Sequence, residues 1–307
     1  MASYLNARPN NSPKQAETMQ DYEPPPSKKV EAIIEKAISE KWPNTQLCAV
    51  ISMTRNPRLI AELWTRDPLG AQDLCVLAMH SKTSDQRSKA AELWAAAATD
   101  NAEPKFIFLL ERLAIKKKIA EIIPELYGVI KLKTLDSYHS ERSMAFDFVA
   151  KNNGLSFGDG IAGINANDTS SKAYNIINLL AQYATTQAGA GVTQKEQLAG
   201  LVAGMATQIE NKRALNFKEY QSAIVAEFQI LNQLDDQTEY GRQGHTVADR
   251  KKELSRKSDV NMDMMETCMR AWASDSNLSQ LFQQRSQALG EYEAYRQIYA
   301  LIKTGTK

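Results

Sequence analysis

Pro104-Lys105-Phe106-Ile107-Phe108-Leu109-Leu110-Glu111-Arg112-Leu113-Ala114-Ile115-Lys116-Lys117-Lys118-Ile119-Ala120-Glu121-Ile122-Ile123-Pro124 carries the strongest periodicity in the chain. Phe106, Leu109, Leu110, Leu113 and Ile119 recur at helical spacing, and Arg112, Lys116 and Lys117 lie in or near one polar stripe. The pattern predicts one helix over 104–123, with Pro104 near its start and Pro124 as its stop.

The same period extends in both directions. Upstream, Ser27 is placed to cap a helix in which Val30, Ile33, Ile34, Ala37 and Ile38 share a face, and Pro43 ends it. Short helices follow, punctuated by Pro57 and by Pro68-Leu69-Gly70. Two of them contain the same tetrapeptide, Ala61-Glu62-Leu63-Trp64 and Ala91-Glu92-Leu93-Trp94, which is too little to establish a repeat. Downstream, a helix is expected from Asp136 to Lys151, closed by Asn152-Asn153-Gly154. Turn chemistry then runs through Gly158-Asp159-Gly160 and Asn165-Ala166-Asn167-Asp168. Helices resume near Ser170, with others around 193–211, 216–235, 247–257 and 260–303, and Gln237 to Gly244 reads as a polar loop. The alternation of a half-buried strand persists nowhere.

These readings give an all-α fold, a two-lobed or elongated helical core with a flexible N-terminal arm. Residues 1–28 are polar, end near Pro24-Pro25-Pro26, and hold too few large apolar groups to offset the entropy of ordering; they form the arm. Residues 29–153 form the N-terminal helical core, 154–169 a glycine- and asparagine-rich loop or hinge, and 170–307 the C-terminal helical region.

At 307 residues, 43% hydrophobic and 24% charged, the chain can bury a core. Its 37 basic and 36 acidic residues leave a formal charge of +1, so any nucleic-acid binding depends on local clusters of cations. Cys48, Cys75 and Cys268 are odd in number, widely spaced and set among apolar neighbours, which predicts reduced core thiols in a reducing, cytosolic setting. No apolar run is long enough to span a membrane, and Met1-Ala2-Ser3-Tyr4 does not open a secretory signal.

Catalytic patterns are missing. His80, His139 and His245 have no helical zinc spacing, and there is no CxxC, Walker loop or nucleophile elbow. Gly154, Gly158, Gly160 and Gly163 do not fit a dinucleotide fingerprint. The expectation is a protein that is not an enzyme and has no metal or cofactor. Three basic clusters are more informative: Arg112 with Lys116-Lys117-Lys118, then Lys131 and Lys133, then Arg250-Lys251-Lys252 with Arg256-Lys257. Such cations neutralise phosphates irrespective of base sequence, and Tyr127, Tyr138, Phe146 and Phe148 are available for stacking.

Arg142-Ser143-Met144-Ala145-Phe146-Asp147-Phe148 resembles the basic-x-x-Ala-Phe-Asp-Phe signature of flexuous filamentous plant-virus coat proteins, the potyvirus-like and potexvirus-like coats. The resemblance implies a mostly helical subunit whose N-terminal arm docks on its neighbour and which wraps single-stranded RNA in a helical filament. In that family a serine, an arginine and the signature aspartate converge, in that order, near the RNA backbone. Asp147 matches the aspartate, and Ser81 and Arg112 stand in the corresponding order, with Ser84, Arg87 and Ser88 as competitors. A carboxylate facing RNA makes sense only beside a cation, so Asp147 is expected to orient an arginine. The plan is also similar to that of the two-lobed helical nucleoproteins of segmented negative-strand RNA viruses, for which the break at 152–170 is apt.

The expected function is that of a viral capsid or nucleocapsid protein, in the virion and host cytoplasm. Single-stranded RNA and further copies of the chain, joined through the arm, are its partners; no membrane is. The RNA-binding residues expected are Ser81, Arg112, Lys116, Lys117, Arg142 and Asp147. The alternative is a helical scaffold or adaptor acting through protein contacts.

Overall fold

The computed structural model describes residues 27–114, 118–155, 172–186, 191–212, 216–240 and 244–305. Among them stand fourteen helices and no strand, so the fold is all-α. The first eight are α1 (Lys28–Ser39), α2 (Asn44–Thr54), α3 (Pro57–Trp64), α4 (Ala71–His80), α5 (Ser84–Ala97), α6 (Glu103–Ala114), α7 (Ile119–Val129) and α8 (His139–Asn152). The remaining six are α9 (Lys172–Thr186), α10 (Val192–Glu210), α11 (Phe217–Leu231), α12 (Val247–Ser274), α13 (Ser276–Leu289) and α14 (Glu291–Thr304). No helix among the described residues is long and apolar enough to cross a membrane.

Local chemistry sets most of the boundaries. The Ser27 hydroxyl accepts from the Val30 amide, as its position before α1 predicts. Asn56 caps α3, with Pro57 at its first position. Thr246 and Asp249 form a reciprocal capping box at the start of α12. At the end of α8, Gly154 takes φ +59°, and the Leu155 amide turns back to the Ala150 carbonyl at 3.0 Å.

Three expected helices are corrected. The 104–123 helix is two, α6 and α7, and Pro124 lies inside α7 instead of stopping α6. Pro124 is the sixth residue of α7, so its place costs the helix the amide bond to the Ala120 carbonyl, and Ile122, Leu126 and Val129, buried along one side, hold the helix across it. The expected pair 247–257 and 260–303 divides differently. Nothing near Lys257 breaks a helix, so α12 runs unbroken from Val247 to Ser274. The breaks come at Asp275, which caps α13, and at Gly290, whose φ of +90° disfavours any residue with a Cβ.

Three hydrophobic clusters hold these helices. The first joins α1–α5 to Ile107 of α6 and Val149 of α8. The second joins Phe106 and Leu109 of α6 to α7, α9, α10, α11 and the start of α12. The third is smaller and gathers Phe217, Met264, Cys268, Tyr295 and Ile298 from α11, α12 and α14. Helix α6 is thus a shared wall, with Ile107 on one side and Phe106 and Leu109 on the other. The clusters therefore divide the chain elsewhere than at 154–169, since residues of α6 and α7 pack with α9–α12. From residue 156 on, the expected hinge lies outside the described residues, as do residues 1–26 of the arm.

The duplicated tetrapeptide behaves as two unrelated segments. In α3, Leu63 is fully buried and Trp64 only partly so. In α5 the roles reverse: Leu93 is 44% exposed and Trp94 is fully buried. Each helix is rotated to suit its own neighbours, which no true repeat would do.

Candidate nucleic-acid interface

Of the six residues expected to contact RNA, Ser81, Arg112, Arg142 and Asp147 are described, and they differ in exposure and partners. Ser81 caps the end of α4 and is buried, and its hydroxyl accepts a hydrogen bond from Trp64 Nε1 at 3.1 Å. Two of the competitors are also engaged. The Arg87 guanidinium donates to both carboxylate oxygens of Glu111 at 2.7 and 2.9 Å, and Ser84 donates to the same carboxylate at 2.7 Å. That pairing holds the Glu111 carboxyl below its usual range despite the opposing effect of burial.

Arg112, at the end of α6, grips Glu125 of α7, its Nη1 lying 2.6 Å from Oε1, while its guanidinium lies over the Phe108 ring. Lys116 and Lys117 lie outside the described residues. Arg142 is 0% exposed, among the largest fully buried side chains, and has polar interactions of its own. Its charge acts on Cys48 of α2 and on Cys75 and His80 of α4, so it sits within the first cluster. Asp147 is half-buried. Five positions along a helix turn two side chains about 140° apart, so α8 aims Arg142 and Asp147 at different surroundings.

The third basic cluster is largely neutralised within the chain. Arg250 donates to both oxygens of the fully buried Glu227 at 2.7 and 2.9 Å and also reaches Glu253 at 2.8 Å. Lys251 pairs with Asp236 at 2.7 Å, and Lys257 bridges Glu210 and Glu253 at 3.6 and 3.4 Å. Lys252 and Arg256 remain exposed. Replacing Glu227 with alanine strips Arg250 of its bidentate partner but leaves it Glu253 and some solvent. Chemical denaturation should show a loss of about 2 kcal/mol. A double variant, Glu227→Leu with Arg250→Met, should recover most of that loss; equal losses in the two proteins would mean the pair itself stabilises the fold.

Among the cations that face solvent are Lys118, Lys131 and Lys133 around α7, and Lys28, Lys29 and Lys151 around α1 and α8. Sequence reading passed over the second set, although Met144, Phe148, Lys151 and Asn152 are spaced to share one face of α8. Of the four aromatics, Tyr138 packs on Trp94 with ring centroids 5.9 Å apart, and Phe146 packs against the first cluster. Tyr127 and Phe148 are exposed.

A cleft of about 640 Å³ opens between α10, the segment around Tyr240 and His245, and the start of α12. Glu196, Glu239, Tyr240, His245, Arg250 and Glu253 line it. Burial pushes the Tyr240 phenol up, while Arg250 and Lys257 hold the Glu253 carboxyl down against the opposing effect of its burial. Among the described residues no group of histidine, cysteine and carboxylate side chains is placed to hold a metal ion. The three cysteines are free and buried, and burial raises their thiols, that of Cys75 to about 12 and that of Cys268 to about 11.

The chain matches no family model, no curated protein and no solved structure. Its function is therefore argued from its own residues.

Proposed function

We infer that the chain is a viral capsid or nucleocapsid subunit, found in the virion and the host cytoplasm, that binds single-stranded RNA without base specificity and polymerises into a helical filament. On this reading it has no catalytic role. The single observation that carries the proposal is the outward face of α8. The segment resembling the coat-protein signature forms one helix, and that helix presents an aromatic ring and a lysine to solvent on one side. The phosphate contacts proposed are the solvent-facing Lys118, Lys131, Lys133 and Lys151, together with Lys116 and Lys117. Ser81 and Arg142 are not among them, because both are buried within the subunit. Residues 1–28 dock on an adjacent subunit and add a tether to the lateral contacts.

The test is a titration of the purified protein with a mixed-sequence single-stranded RNA across a salt series. Affinity should fall steeply as salt rises, with a slope of about −0.7 on the logarithmic scale for each phosphate neutralised. Binding that is absent, or indifferent to salt, would overturn the RNA reading and favour a helical scaffold that works through protein contacts.

A further inference from the structure

Seven large apolar side chains are exposed among the described residues, and only two of them, Met144 and Phe148, stand a single turn apart on one helix. They are 65% and 54% exposed. The core beneath does not use them: Ala145, Phe146 and Val149 supply that contact from α8. A charge of each sign bounds the pair. Glu141 lies in the first turn of α8 and Lys151 in the last. Lys151 is exposed and Glu141 is half-buried.

Along the helix the order is acid, apolar, apolar, base, at intervals of three, four and three residues. At about 100° per residue the four side chains fall within an arc of about 80° and span about 15 Å of axis. The intervals read the same from either end, with position 146 at their midpoint. Two copies of the face laid antiparallel about that midpoint therefore set Met144 against Phe148 of the second copy, twice over. The same arrangement sets Glu141 against Lys151 of the second copy at both ends. A thioether packs well against an aromatic ring, and the opposite charges fix the direction, since parallel pairing would bring like charges together. Glu141 also interacts within its own subunit, and a carboxylate accepts from more than one donor. Asp147, half-buried, flanks the face one turn before Lys151, and past that end stand Lys28, Lys29 and Glu31 of α1, of both signs.

We propose that α8 is a self-association surface, pairing antiparallel with α8 of a second copy through Met144 and Phe148, with Glu141 and Lys151 setting the direction. Such a contact closes on itself and yields pairs, so a filament needs a further, head-to-tail contact. The pairing does not depend on the RNA-coat reading, but it covers the same face. Single-stranded RNA bound there and the second copy exclude each other.

The full chain, purified free of RNA, should show a concentration-dependent monomer–dimer equilibrium in sedimentation at low salt. Phe148→Ala should weaken the dimer by about tenfold or more, and Lys151→Glu by about tenfold. Cysteine cross-linking reads the direction, the native cysteines being buried. A mixture of Met144→Cys and Phe148→Cys proteins should cross-link faster than either protein alone. Monomers at every concentration, or a dimer indifferent to both substitutions, would overturn the pairing, as would cross-linking that is fastest in one protein by itself. A monomer that dimerises once residues 1–26 are removed would overturn it for the full chain and assign the face to the arm. Added single-stranded RNA should dissociate the dimer, and RNA bound by intact dimers would overturn the exclusion. A dimer that binds no RNA keeps the pairing and removes the coat reading; RNA binding by a strict monomer does the reverse.

Discussion

Arg142→Ala should lower the free energy of unfolding by about 3–5 kcal/mol, measured by urea denaturation monitored through tryptophan fluorescence. The side chain is completely buried and interacts with its surroundings there, so its removal leaves a cavity and an altered charge balance in the core. Arg142→Lys should recover little, because an ammonium cannot reproduce the planar fork. The opposite result, a stable protein that has lost only RNA affinity, would return Arg142 to the phosphate contacts expected from sequence and would mean that the first cluster opens to admit the strand.

His80 makes the fold sensitive to acid. Its Nε2 is sealed from solvent and makes no hydrogen bond. Burial above all, and then the charges of Arg142, Arg55 and Lys172, pull its pKa down to about 3. An unfolded histidine takes up a proton near pH 6.5, so between those two values the unfolded chain binds more protons than the folded one. Stability should therefore fall as pH drops below about 6.5, with the full slope of about 1.4 kcal/mol per unit until the folded-state value is approached. Between pH 7 and pH 4 the wild type should lose about 3 kcal/mol more than His80→Gln. Equal pH slopes in the two proteins would assign the acid sensitivity to other groups.

Sequence reading reached the helices because their signals are local. Ser27 and Gly154 act through bonds to residues a few positions away, so their caps are visible without a fold. Helix boundaries that depend on the absence of a signal were harder to place. The continuity of α12 through Lys257 and the placement of Pro124 inside α7 follow from packing. The candidate interface was less legible still. A basic residue in a sequence does not show whether its charge is already paired. Arg112, Arg250 and Lys257 find carboxylates on other helices, and Arg142 lies within a core, none of which spacing along the chain can reveal. The exposed face of α8 was within reach, because the interval from Met144 through Phe148 to Lys151 marks one side of a helix.

Helix α12 spans 28 residues, about 42 Å, with neither glycine nor proline between Val247 and Ser274. Val247 and Leu254 are set in the second cluster, and Met264 and Cys268 in the third. It is in effect a beam fixed at both ends in different masonry. If the chain polymerises as proposed, a neighbouring subunit that presses on α13 or α14 meets no glycine or proline joint in α12 at which to bend it. The push arrives at α10 and α11 as a tilt of the whole rod, so the curvature of a polymer would be set by how two distant cores seat a single helix.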